Sequence, residues 1–196
     1  MPIAQPTLDE VVNFGHYLKK EGLEYSDKPI KLRAGGESHL YFDAKRAISH
    51  GSALKKAGDL LLAKAAEQDL KFNVVAGMGI GGRALAYAMM MAANFKLRVT
   101  EANEDKSPGQ RYGYGLHGTS IASDCDVLLV DDVATSGNSL LTLKDMIDAD
   151  KGNVADAIVL VDRSAGEVAK RLGSIGLGFH AIYELDEVSQ QIRPSA

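Results

Sequence analysis

The run Val127-Leu128-Leu129-Val130-Asp131-Asp132-Val133-Ala134-Thr135-Ser136-Gly137-Asn138-Ser139 sets two carboxylates between an apolar stretch and a turn of small, hydroxyl-bearing residues. A turn over 134–139 can aim several backbone N–H groups at one anion, and a helix starting behind it adds its positive end. Thr135, Ser136 and Ser139 bring hydroxyl donors, and Gly137 permits the backbone geometry of a phosphate-binding nest. Adjacent acids would repel a bare phosphate. They suit a ligand that also carries hydroxyls, because an ionised Asp only accepts hydrogen bonds. A ribose 5-phosphate meets both halves, with its phosphate in the turn and its 2- and 3-hydroxyls on the carboxylates. A lone Asp-Ser turn would usually do no more than cap its helix; the complete series of apolar, acidic and hydroxyl residues points to a ligand.

The elements that must position this run follow from periodicity. Thr7-Leu8-Asp9-Glu10 matches a capping box and predicts a first helix over residues 8–20, ending at Gly22. Residues 30–44 read as extended, with Gly35-Gly36 at a sharp turn, and residues 52–68 as a second helix with Leu54, Ala57, Leu61 and Ala65 on one face. Strands are then expected at 72–76, 97–102, 126–130, 155–161 and 178–183, alternating with helices at 83–94, 139–149 and 166–172. Residues 103–120 form a long polar loop. This alternation specifies an α/β fold, a mainly parallel sheet flanked by helices, whose ligands bind beyond the carboxyl ends of the strands.

The bulk properties narrow the class. At 196 residues the chain suffices for one α/β domain with additional structure at its N-terminus. A net charge of −4 gives no footprint of nucleic-acid binding, which would need a basic face, so no nucleic-acid partner is expected. No apolar run approaches a membrane span, the first residues lack a secretory pattern, and the single Cys125 cannot form an internal disulfide. A cytoplasmic protein without a membrane partner is the expectation, with Cys125 a small residue beside a buried strand. His39, His117 and His180 read as structural.

The 127–139 run resembles the motif with which type I phosphoribosyltransferases bind 5-phosphoribosyl-1-pyrophosphate (PRPP). The resemblance implies that Asp131 and Asp132 hold the ribose hydroxyls while Ala134, Thr135, Ser136, Gly137, Asn138 and Ser139 cradle the 5-phosphate. Residues 31–43, Lys-Leu-Arg-Ala-Gly-Gly-Glu-Ser-His-Leu-Tyr-Phe-Asp, resemble the N-terminal stretch of orotate phosphoribosyltransferases. There Arg33 would approach the ligands, and Tyr41 and Phe42 would line the base pocket, where a flat ring can stack; on their own these two aromatics read as core. Val161-Asp162-Arg163-Ser164-Ala165-Gly166 resembles that family's Asp-Arg turn, whose arginine pairs with the orotate carboxylate, a task for a planar guanidinium. Gly77-Met78-Gly79-Ile80-Gly81-Gly82 resembles its pyrophosphate loop, and residues 103–120 its lid, with Lys106 as the matched catalytic cation. Well-known bacterial members carry further cations where this chain has Ala102-Asn103 and Pro108, and often a lysine where it has Met78; Arg83 and Arg111 are nearby substitutes.

A single domain over 1–196 is implied, with residues 1–48 as an N-terminal hood and 70–185 as the PRPP-binding core. The expected reaction is transfer of phosphoribose from PRPP to orotate, with Mg²⁺ held through PRPP and water rather than by direct protein ligands, in a homodimer whose lids reach across. Transfer to another nucleobase, and a non-catalytic PRPP or nucleotide sensor on the same fold, stay open alternatives.

Overall fold

The computed structural model describes residues 5–31, 37–102, 116–186 and 189–195. Helix α1 (Leu8–Gly22) starts at the expected capping box: Glu10 N–H donates to Thr7 Oγ1 at 3.3 Å, and Thr7 N–H donates to the Glu10 carboxylate at 2.9 Å. Lys56 also pairs with Glu10, and these partners together hold its carboxyl at about 2. Strands β1 (Leu23–Lys31) and β2 (Glu37–Phe42) form an antiparallel pair with Leu23 opposite Phe42. A short helix α2 (Ala44–Ala47), capped by the Asp43 carboxylate on Arg46 N–H, leads to α3 (Gly51–Glu67). Nothing in the apolar spacing announced α2, because four residues are too few to show a period.

The remaining chain builds one sheet from β3 (Val74–Met78), β4 (Arg98–Ala102), β5 (Leu116–Gly118), β6 (Asp126–Ala134), β7 (Asn153–Asp162), β8 (Phe179–Asp186) and β9 (Gln191–Pro194). Their order is β5-β4-β3-β6-β7-β8-β9, parallel throughout except for the two antiparallel edges. Helices α4 (Gly79–Ala92), α5 (Asn138–Ala149) and α6 (Glu167–Gly173) make the crossovers.

Continuous apolar runs in the central strands feed two cores, because successive side chains of a strand face opposite ways. Val75, Leu128 and Val130 join Leu61, Leu85 and Met89 on one face, while Val74, Val127 and Leu129 join Leu140, Leu143 and Ile147 on the other. Burial of each such side chain contributes about 1.5–3 kcal/mol. Phe14 and Leu18 of α1 belong to the first core, and Tyr183 Oη donates to the Val11 carbonyl at 2.7 Å, tying α1 to β8. Burial pushes the Tyr183 phenol up, so it stays a neutral donor.

Two expectations are corrected. The glycine cluster after β3 is largely the first turn of α4, which starts at Gly79 rather than at 83. Strand β6 runs on to Ala134, so both acids lie within a strand. Residues 103–115, most of the expected lid, lie outside the described residues, and 116–118 pair with β4 as an edge strand.

Candidate active site

Gly77 of β3 lies opposite Val130 of β6, so the turn into α4 and the Asp131–Asp132 pair emerge side by side at the carboxyl edge of the sheet. The glycines there answer to space. A Cβ on Gly81 would overlap the Asp132 carboxyl, one on Gly82 would come within 2.9 Å of the Val130 carbonyl oxygen, and one on Gly77 would overlap the Gly82 carbonyl. The α4 start therefore lies directly against the acid pair. Each carboxylate also accepts the next backbone N–H: Asp132 N–H to Asp131 at 2.9 Å and Val133 N–H to Asp132 at 3.1 Å.

Beyond Ala134 the chain turns through Thr135, Ser136 and Gly137 into α5. Gly137, at φ 72°, is the helix cap in the left-handed region that favours glycine. The first turn of α5 carries no acidic residue to offset the positive helix end. From β7, Arg163 N–H donates to the Ala134 carbonyl at 3.0 Å, so the arginine enters beside the turn; it is only 9% exposed.

One pocket of about 610 Å³ joins these parts. Of the expected residues it is lined by Tyr41 and Phe42, by Met78, Gly79 and Ile80, by Asp131 and Asp132, by the whole 134–139 turn, and by Arg163. Gly77 stands behind the lining, at the strand end. Phe42 is 5% exposed and belongs to the core, whereas Tyr41 is half-buried. Arg33 and Lys106 lie outside the described residues.

Lys45 is the lining residue that sequence reasoning missed. It follows the aromatic pair by three positions, and Asp43-Ala44-Lys45 at a helix start was the available signal. Its ammonium lies 3.4 Å from Asp43 Oδ1. Burial works against that charge, but the carboxylates of Asp132 and Asp43 outweigh it and raise the pKa above the ordinary lysine value. Lys45 thus enters the pocket as a full cation facing Asp132.

Arg83, a candidate substitute cation, is turned away. Its Nε donates to the Gly79 carbonyl at 2.9 Å and Nη1 lies 3.9 Å from Glu101, so it braces the first turn of α4 outside the pocket lining. Arg111 lies outside the described residues. His39 accompanies Tyr25 and the Ser26 carbonyl in the hairpin, and His180 lies 3.4 Å from Asp156 at the opposite end of the sheet. Cys125 is buried, as expected. No helix among the described residues is long and apolar enough to cross a membrane.

The comparisons agree with this geometry. The family model for the phosphoribosyl transferase domain matches residues 46–177, more than half of the chain. The orotate phosphoribosyltransferase of Methanopyrus kandleri is 33% identical over 149 residues, covering 76% of this chain and 75% of that one. The Aeropyrum pernix orotate phosphoribosyltransferase structure superposes with a TM-score of 0.67 at 28% identity, covering 86% of this chain and 93% of its own. A Mycobacterium tuberculosis orotate phosphoribosyltransferase solved with PRPP shares the fold, with a TM-score of 0.74 at 23% identity over 92% of this chain and 99% of that one. With the family model spanning both the acid pair and the anion turn, and a relative one-third identical across three quarters of each chain, this protein belongs to the orotate phosphoribosyltransferases within the phosphoribosyltransferase family.

Proposed function

We propose that the chain transfers the 5-phosphoribosyl group of PRPP to orotate, giving orotidine 5-phosphate and pyrophosphate. The observation that carries this reading is the single pocket in which an acid pair, an anion turn, a glycine-lined helix start and an aromatic–arginine wall converge. The solved PRPP complex of the M. tuberculosis relative supports it.

The 134–139 turn takes the 5-phosphate on backbone N–H groups and hydroxyls. Asp131 and Asp132 accept hydrogen bonds from the ribose hydroxyls and lie near the positive charge that develops on the sugar as the C1–oxygen bond breaks. The bonding electron pair leaves with pyrophosphate, and a ring nitrogen of orotate forms the new bond to C1 as its N–H proton passes to solvent or to the departing pyrophosphate. Met78, Gly79 and Ile80 take the leaving pyrophosphate, with Lys45 lining the same pocket, and the resemblance to the family gives Lys106 as a further cation for it. Arg163 pairs with the orotate carboxylate and Tyr41 covers its ring. Most of the rate enhancement then comes from positioning and preorganised charge.

Mg²⁺ fits the donor set. The adjacent carboxylates of Asp131 and Asp132 suit an ion that keeps waters and binds mainly to phosphates. Asp131 and Asp132 would hold it through water, and when bound it supplies positive charge to the pyrophosphate.

The working unit is a homodimer, assembled through α4. Tyr87, Met91 and Phe95 are exposed along one side of that helix and its end, continuing the line of Ile80 at the pocket rim. An uncharged row of this kind can pair with its own copy across a two-fold axis.

The acceptor is tested by offering PRPP and Mg²⁺ with orotate, uracil, adenine or hypoxanthine in turn. Orotate alone should be consumed, and consumption should stop when Mg²⁺ is chelated. Faster use of a base without a carboxylate would contradict the role given to Arg163.

A further inference from the structure

Helix α6 stands behind the anion turn, and two of its side chains reach it. A Cβ on Gly137 would come within 3.2 Å of Val168 Cγ1, so Val168 closes the outer wall. One helical turn on, Arg171 Nη1 donates to the Ser136 carbonyl oxygen at 2.7 Å and to Asn138 Oδ1 at 2.7 Å. The guanidinium thus spans Gly137 from both sides. Arg171 does not line the pocket itself.

The consequence follows from peptide geometry. Every peptide bond described is trans, and in a planar trans peptide the C=O and the following N–H point in opposite directions. Holding the Ser136 carbonyl outward on Arg171 therefore turns the Gly137 N–H away from α6, to the pocket side of the turn. The same guanidinium occupies the Asn138 side-chain oxygen. Asn138 then serves the turn through its backbone N–H, which meets Ser136 Oγ at 3.4 Å. A flexible glycine turn would otherwise have to settle these orientations each time an anion arrived, at a cost in conformational entropy.

We propose that Arg171 is a positioning residue for the phosphate of PRPP: it locks the Ser136–Gly137 peptide so that the Gly137 N–H faces the ligand before it binds. This inference rests on the proposed reaction only for its kinetic readout.

The test compares the native chain with Arg171→Ala and Arg171→Lys in two measurements. The first is steady-state kinetics with PRPP and orotate; the second is the rise in melting temperature produced by inorganic phosphate, which reads binding to the folded state without chemistry. Loss of one charge-assisted bond should raise the Michaelis constant for PRPP in Arg171→Ala about tenfold, with kcat and the orotate constant within about twofold. The phosphate-induced rise should shrink in parallel. Arg171→Lys, which keeps a donor and a charge but not the planar fork, should fall between, and it carries the comparison if Arg171→Ala does not fold. An unchanged PRPP constant and phosphate response in either variant would overturn the proposal. So would a general loss in which kcat and both constants worsen together. If the native chain turns over no orotate, the proposed reaction fails while the phosphate measurement still decides the role of Arg171.

Discussion

At the scale of single residues, the site is built by what is missing from Gly81. The carboxyl of Asp132 occupies the space that any side chain there would need. Gly81→Ala should push Asp132 out of register with the ribose hydroxyls and lower PRPP turnover by about 10²-fold, the order lost when a preorganised group is displaced. Gly51→Ala is the control, because nothing lies within 4 Å of its added Cβ. Native turnover in Gly81→Ala would show that the close approach is incidental. The acid pair and anion turn were legible from the sequence because that chemistry demands specific types at consecutive positions. Lys45 was not. An isolated lysine at the start of a short helix is indistinguishable from a solvated one until α2 is folded against β6 and α4.

Among the elements, α4 does two jobs. Its first turn supplies the pocket floor, and its far side supplies exposed apolar surface. The helix ends in a Schellman arrangement, with Phe95 N–H on the Met90 carbonyl at 2.9 Å and Asn94 N–H on the Met91 carbonyl at 3.0 Å. Phe95 itself sits at φ 60°, a conformation that costs a bulky residue about 1–2 kcal/mol, and it is 71% exposed. Together with Tyr87 and Met91 it is the apolar surface that the proposed dimer would bury. Sedimentation should show a dimer for the native chain and a monomer for Met91→Lys, since a buried unpaired ammonium is costly. A native monomer at micromolar concentration, or a variant that still dimerises, would remove α4 from the interface. The start of α4 was misplaced because glycines are poor helix formers, and here packing against the acid pair overrides propensity.

For the molecule as a whole, the order of strands and helices along the chain and the mainly parallel character of the sheet were the legible part. Five apolar strands alternating with helices specified the parallel centre, which burial on both faces enforces. The edge strands β5 and β9 were not legible. These short segments take strand form from the neighbour they pair with, as in Ile192 opposite Leu185 and Leu116 opposite Ala102. The result is a scaffold that brings residues as distant in sequence as Tyr41 and Arg163 into one pocket. Whether that pocket carries out transfer is read most directly by mixing the chain with PRPP, Mg²⁺ and orotate. Loss of orotate absorbance and release of pyrophosphate are followed together, for the native chain and for Asp132→Asn. One pyrophosphate released per orotate consumed, falling at least about 10²-fold in the variant, is the expected result. PRPP bound by the native chain without orotate loss would contradict it and leave a nucleotide-binding protein in place of an enzyme.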